Sequence, residues 1–321
     1  MEIGSFIGLD LRNTGEYFIG ETNIARLNSA RSGIYHCCRI YNCNSIHVPY
    51  YLCPSVKKFL LKHSIIVKPY FINESFEPQE IEQMQGEAIL IVNYFGILPG
   101  HKIRKLANRF HNVIIDNSSA FFADPLEGCF NVYSPRKFFG VPDGGYVIGE
   151  YACKYLTDYG QDFSSPTASF LFKRMEFSTS ESYGERMKNE ERINNSDILK
   201  MSLLTRSLLN NIDYQAIKIK RRINFQFAHD LFYGINKIGQ YINIDNECAP
   251  MVYPLLVEQN ELDEKLKMNK IYTGRWWKNV LSEVPDSKFE AWLSKYMVPV
   301  PIDQRYDQSE IEQIYNVIVN G

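Results

Sequence analysis

Between residues 46 and 150 the chain alternates short β-branched apolar runs with amphipathic stretches of helical period, and this alternation constrains the fold more than any other feature. IHVPYY (46–51), SIIVKPYFI (64–72), AILIVNYF (88–95), NVIIDN (112–117), CFNVYS (129–134) and GYVIGE (145–150) read as strands. AILIVNYF is apolar almost throughout, as expected of a strand buried on both faces. PSVKKFLLKH (54–63) carries Pro54 in its first turn and sets Val56, Phe59 and Leu60 on one face. HKIRKLANRF (101–110) sets Ile103, Leu106, Ala107 and Phe110 on one stripe. Strands alternating with helices predict an α/β fold: a mostly parallel sheet with helices on both faces.

The second half is different. Residues 151–245 read as helix and loop, with SYGERMKNEERINNSD (182–197) as an exposed loop and IKRRINFQFAHDLFYGI (219–235) as a long helix. PMVYPLLVE (250–258) is strand-like, FEAWLSKYM (289–297) has helical spacing at Phe289, Trp292, Leu293 and Tyr296, and SEIEQIYNVIV (309–319) closes the chain as a helix with Ser309 and Glu312 as a capping box. These elements suggest a large α/β domain over 1–215 and a smaller C-terminal α+β domain over 216–321.

Composition narrows the class. Hydrophobic residues make up 45% and charged residues 22%, which is ordinary for a globular protein. A formal net charge of −2 gives no field to gather nucleic acid or anionic membrane, and KIKRR (218–222) reads as the solvated face of a helix. The seven cysteines are odd in number and show no metal-ligand spacing, which points to reduced thiols in the cytoplasm and to no metal site. The run AILIVNYFGIL (88–98) is too short to span a bilayer, and MEIGSFIGLD lacks the pattern of a signal peptide.

Ligands of open α/β sheets bind at the carboxyl ends of the strands, and three chemically capable residues fall there. Asp116 closes VIID, Asn93 closes ILIVN, and Lys137 follows FNVYS in apolar, turn-rich surroundings where its amine would be desolvated. A fourth element, LNSARSGIYHCCRIY (27–41), offers Asn28 or Ser29 as a helix cap, with Arg31 beside backbone N–H groups suited to a phosphate. Lysine, acid and phosphate cradle are the set pyridoxal 5'-phosphate needs: an amine for its aldehyde, a carboxylate for its ring nitrogen, and a helix start for its phosphate. Each residue also has a purely structural reading. Asp116 could form a strand-end turn, Lys137 could sit on the surface, Ser29 and Arg31 could be a cap and an ion pair, and Tyr51 could pack in the core. TGRWWKNV (273–280) places Arg275 beside Trp276 and Trp277, which could clamp a ligand's base or carboxylate or simply pack.

These segments resemble the DegT/StrS-type sugar aminotransferases, which have the fold-type I architecture of pyridoxal phosphate enzymes. VIIDNSSAFF is similar to the family's segment carrying the pyridine-nitrogen acid, which implies that role for Asp116. YSPRKFFGVPDGGYV resembles the Schiff-base segment, implying that role for Lys137 and a turn role for Gly144 and Gly145. LNSARSGI resembles the phosphate-binding helix start, implying Ser29, Ala30 and Arg31 as ligands. VPYYLCPSV implies Tyr51 as the ring-stacking side chain, LIVNYFG implies Asn93 near the cofactor, and YMVPVPIDQRY resembles the late strand of the family. Two positions depart from the pattern. Ser119 stands where the family commonly has His or Gln against the ring, and Val132 where it has a phosphate-binding Ser, a role Ser134 could take.

The resemblance implies an aminotransferase, working as a homodimer, that moves an amino group from an amino acid such as glutamate to a keto sugar, usually nucleotide-linked. A lyase-type pyridoxal phosphate enzyme on a small amino acid, and a catalytically idle relative with a binding role, are the alternatives.

Overall fold

In the computed structural model, which describes residue 4 and residues 6–243 and 248–320, the alternating half of the chain builds a seven-stranded sheet. Its elements are β1 (Ile24–Leu27), α1 (Ala30–Tyr41), β2 (Ser45–Pro49), α2 (Pro54–Lys62), β3 (Ile66–Tyr70), β4 (Ala88–Val92), α3 (Gly100–Ala107), β5 (Val113–Asp116), β6 (Phe130–Tyr133) and β7 (Gly145–Ile148). The strand order is β1-β7-β6-β5-β4-β2-β3. Strands β2 to β6 run parallel, while β7 is antiparallel to both β6 and β1. The expected mostly parallel sheet is therefore present. Strand β1 was not legible because its IARL has neither alternation nor a long apolar run. Strand β4 is buried at every position, as its apolar run requires. Pro69 is accommodated because β3 is the edge strand, where a missing N–H costs no ladder bond.

The helices follow their sequence signals with small shifts at the ends. Val56, Phe59 and Leu60 of α2 are buried, as are Ile103, Leu106 and Ala107 of α3, while Phe110 lies beyond the end of α3. The remaining elements are α4 (Ser169–Glu176), α5 (Thr179–Asn195), α6 (Leu203–Leu209), α7 (Tyr214–Phe232), β8 (Val252–Leu256), α8 (Leu262–Met268), α9 (Phe289–Tyr296), β9 (Met297–Pro301) and α10 (Gln308–Asn320). Strands β8 and β9 pair antiparallel and are packed by α7, α9 and α10.

Three expectations need correcting. The polar stretch 182–197 is not a loop; nearly all of it lies in α5. Ser178 caps that helix and forms a reciprocal box with Glu181: the Glu181 N–H donates to Ser178 Oγ at 3.3 Å and the Ser178 N–H to Glu181 Oε2 at 3.0 Å. The polarity misled because α5 buries only Ser182, Asn189 and Ile193 and solvates the rest. The closing helix begins at Gln308, which places Ser309 inside it; Glu310 Oε2, not Glu312, reaches back to the Asp307 N–H at 2.8 Å. Finally, the basic run 218–222 is not wholly solvated. Arg221 is 2% exposed and holds the Met251 carbonyl at 3.1 Å and Gln304 Oε1 at 3.0 Å.

At the amino ends of the strands Glu87 collects the Lys68 ammonium, His47 Nε2 at 2.7 Å and Ser45 Oγ at 3.0 Å. The hydrogen bond from the Lys68 ammonium above all holds the Glu87 carboxyl down at about 2, against an ordinary 4.5. A carboxyl depressed by folding stabilises the native state above its unfolded value and loses that contribution as pH falls through the folded one. Acid unfolding is therefore expected to draw on this cluster between pH 4.5 and about 2. Glu87→Gln should be less stable than wild type at neutral pH and should lose less stability across that window, as measured by denaturant titration at stepped pH.

Candidate active site

Parallel pairing brings the carboxyl ends of β4, β5 and β6 side by side, with Val92 opposite Asp116 and Asp116 opposite Val132. The chain leaving each strand then carries the chemistry. The Asn93 N–H continues the ladder onto the Asp116 carbonyl at 3.0 Å, and the Asn117 N–H donates to the Val132 carbonyl at 2.8 Å. Asp116 is 6% exposed, and its Oδ1 accepts the Ser118 N–H at 2.9 Å, which fixes the carboxylate's rotation. Asn93 Nδ2 donates to Asn117 Oδ1 at 3.0 Å, while Asn93 Oδ1 is buried with no hydrogen-bond partner.

Lys137 ends a short 3-10 turn, Pro135–Lys137, directly after β6. Its Nζ lies 3.4 Å from Ser119 Oγ, so the lysine and the turn after Asp116 meet. The expected desolvation does not occur within one chain: Lys137 is exposed, although Ser134, Pro135, Phe138 and Phe139 around it are buried. The lysine is a solvent-facing amine on a rigid base. That base includes Phe121, Phe122, Phe138 and Phe139, packed ring against ring beneath the loop. Arg221 lies over the Phe138 ring at 4.5 Å, and Gln304 Nε2 holds the Phe138 carbonyl at 2.9 Å. Neither residue was apparent as a support for the lysine, because both come from the far end of the chain.

The helix start is built as expected. Ser29 caps α1, accepting the Ser32 N–H at 3.3 Å. It is joined to the Pro-Asp-Gly-Gly turn by a bridge to Gly144, whose N–H donates to the Asn28 carbonyl at 2.8 Å. Only glycine fits that turn. Gly144 has φ +123, and a Cβ on Gly145 would stand 2.4 Å from the Ser29 carbonyl carbon and 2.7 Å from the Ala30 nitrogen. Asp143 anchors the same turn by accepting the Ser202 N–H at 2.8 Å and the hydroxyls of Ser202 and Thr205.

Arg31 does not turn back over the helix start. It donates to Asn194 Oδ1 of α5 at 2.7 Å, and its buried Nε has no hydrogen-bond partner. Arg136, next to Lys137, donates to Glu190 of α5 and also leaves a buried Nε unpartnered. Burial, and then the charge of Arg136, lowers the Arg31 pKa; burial likewise lowers that of Arg136. Two half-buried guanidiniums, the second ion-paired with Glu190, thus lie near a capped helix start, and the sequence pointed only to the first of them. Tyr51 is fully buried, with its ring edge-on to Trp277 at 4.5 Å, its carbonyl accepting the Tyr94 hydroxyl at 2.7 Å, and its own hydroxyl unpartnered. Among the described residues no cluster of His, Cys, Asp and Glu could hold a metal, and no helix is long and apolar enough to cross a membrane.

No family model matches the chain, and no curated protein matches it by sequence. Solved structures do match it. The sugar aminotransferase CalS13 from Micromonospora echinospora superposes with a TM-score of 0.63 at 12% identity, over 95% of this chain and 89% of that one. The chain has the fold of the sugar aminotransferases. A DegT DnrJ EryC1 StrS aminotransferase from Brucella abortus matches with a TM-score of 0.60 at 11% identity, over 94% of this chain and 87% of that one. Spr1654 from Streptococcus pneumoniae, in its PLP-form, matches at 0.62 and 12% identity, over 92% and 86%. The sheet, the smaller C-terminal layer and their connection are thus those of this aminotransferase fold.

Proposed function

We propose that the protein is a pyridoxal phosphate-dependent aminotransferase that passes an amino group from an amino acid such as glutamate to a keto sugar, best sought among nucleotide-linked ones. The observation that carries this reading is the meeting of Lys137 with the Asp116 turn at the carboxyl ends of the central strands, beside a capped helix start flanked by two half-buried arginines. The unpartnered Asn93 Oδ1 and the two arginine Nε atoms are the polar groups such a cofactor would satisfy. Solved structures of sugar aminotransferases with the same fold add support.

Pyridoxal phosphate, when bound, supplies an aldehyde that takes up amines and a ring that accepts electron density. The chain's residues divide the remaining work. Ser29, Ala30, Arg31 and Arg136 would hold the phosphate, with Ser134 beside the lysine turn. Asp116, its orientation fixed by the Ser118 N–H, would supply the negative charge for the ring nitrogen. Tyr51 and Asn93 orient the ring. Lys137 would hold the cofactor's aldehyde and would move the proton at the donor's Cα, with Ser119 positioning its Nζ. The donor's keto acid leaves before the acceptor binds, so the kinetics are ping-pong. In this reading residues 1–215 hold the cofactor and 216–321 form the smaller lobe. The protein works in the cytoplasm as a homodimer, whose second copy shields the exposed Lys137 from water.

The test is a single-turnover assay. Cofactor-loaded protein given glutamate without acceptor should release one equivalent of 2-oxoglutarate per site and stop, and a keto sugar should restart it. Release that never occurs with any amino acid would sink the reading. Steady ammonia formation would indicate a lyase instead.

A further inference from the structure

Arg221 comes from α7, in the C-terminal layer, and reaches the loop that carries Lys137. It is 2% exposed, and the groups that hold it are neutral. Nε donates to Gln304 Oε1 at 3.0 Å, and NH1 donates to the Met251 carbonyl at 3.1 Å and the Pro250 carbonyl at 3.3 Å. The guanidinium carbon lies over the Phe138 ring at 4.5 Å. Asp303, whose charge reaches Arg221, is hydrogen-bonded to Arg305 instead, at 2.7 Å. Burying a charge among neutral partners is costly, and an apolar side chain of similar volume would fill the space with less penalty. What the arginine supplies is a planar fork whose donors fix several segments at set angles to one another.

These segments close a ring around Lys137. On one side, Phe138 follows the lysine directly: its ring lies under Arg221, and its carbonyl accepts Gln304 Nε2 at 2.9 Å. On the other side, the Met251 N–H donates to the Phe95 carbonyl at 2.9 Å, which ties residues 250–251 to the turn after β4. That turn is pressed onto the turn after β5. A Cβ on Gly96 would stand 2.7 Å from the Ser119 carbonyl oxygen and 3.0 Å from Pro250 Cα. Ser119 Oγ then meets Lys137 Nζ at 3.4 Å and completes the ring. Arg221 therefore locates both the residue after the lysine and the hydroxyl that faces its amine. Lys137 is itself exposed, so its own side chain is not packed into place. A reacting group misplaced by about 1 Å can cost about 10²-fold in rate.

We infer that Arg221 is a positioning residue for Lys137. Through Phe138 on one side, and through 250–251, Gly96 and Ser119 on the other, it makes the placement of the amine depend on the docking of the C-terminal layer. The chemistry of the amine rests on the aminotransferase reading; the mechanical dependence on Arg221 does not.

The test joins hydrogen–deuterium exchange, which needs no cofactor, with steady-state kinetics. The Phe138 N–H donates to the Pro135 carbonyl at 3.0 Å and the Ala120 N–H to the Asn117 carbonyl at 2.9 Å. In Arg221→Met both amides should exchange about tenfold faster or more, while those of β4 stay as in wild type. In the loaded enzyme kcat and kcat/KM should fall together by about 10²-fold. Arg221→Lys keeps the charge over the Phe138 ring without the fork and should recover part of both effects. Gln304→Met, at a half-buried residue, should show the same pattern at smaller size, and it reports even if Arg221→Met fails to fold. The role is overturned if Gln304→Met and the Arg221 variants that fold exchange at Phe138 and Ala120 as wild type does. It is also overturned if β4 exchanges faster to the same degree, or if kcat/KM is unchanged in protein whose Phe138 amide has been freed. Faster exchange confined to these amides, in protein that takes up no pyridoxal phosphate, would keep the dependence on Arg221 and remove the aminotransferase reading.

Discussion

Lys137→Ala should fold as wild type does and lose transamination altogether. The side chain is exposed and its one hydrogen bond, to Ser119 Oγ, is a long 3.4 Å, so its removal leaves no cavity and no buried orphan. The melting temperature should therefore be unchanged, as for most surface substitutions. Activity is another matter. In the proposed reaction the amine is both covalent anchor and proton carrier, and proton transfer by a positioned side chain alone contributes about 10²–10⁴-fold. Turnover should fall by at least about 10³-fold, and the visible absorbance that wild type gains with pyridoxal phosphate should be missing. Lys137→Arg, which keeps the charge but not the nucleophile, should behave like Lys137→Ala. A variant retaining the absorbance band, or substantial turnover, would return Lys137 to the role of a surface lysine.

Asp116→Asn should be the next most damaging change. The amide oxygen can still accept the Ser118 N–H now held by Oδ1 at 2.9 Å, so the turn after β5 and the meeting of Ser119 with Lys137 should survive. Only the charge is lost. The neighbouring polar groups, Asn93 and Asn117, are amides and cannot replace it. Removing one preorganised electrostatic partner typically costs about 10²–10³-fold in turnover, and that loss is expected here. The variant should still acquire the absorbance band, because Lys137 remains. Full turnover in Asp116→Asn would mean that the carboxylate merely shapes the strand end. Together the two variants separate the anchoring proposed for Lys137 from the electrostatic activation proposed for Asp116.

Much of the frame was legible because it depends on neighbours in sequence. Val56, Phe59 and Leu60 mark a helix face by their spacing, and the unbroken apolar run of β4 marks a doubly covered strand. Ser29 as the cap of α1 was legible for the same reason, since a cap bonds N–H groups two or three residues on. The error at α5 has the opposite cause. A helix that buries three residues carries almost no hydrophobic period, and only the Ser178–Glu181 box marks its start. The capping box was misplaced at α10 because acidic residues at both 310 and 312 follow a serine, and composition alone does not choose between them.

Local sequence thus sets the identity of the elements and the residues at their ends: Asp116 closing a buried strand, Lys137 following another, Ser29 opening a helix. What those ends meet depends on how whole elements pack. Strand order placed β4, β5 and β6 side by side, which brings Ser119 to Lys137. Close packing set Gly145 against the Ser29 backbone. Arg221 reached Phe138 from α7, Arg31 was drawn to Asn194, and Trp277 packed against Tyr51, all across long separations in sequence. The physical reason is one of range. Capping and periodicity are satisfied within a turn or two and leave a local imprint, whereas burial, exposure and the pairing of distant charges depend on how whole elements pack, and no short stretch of sequence records that.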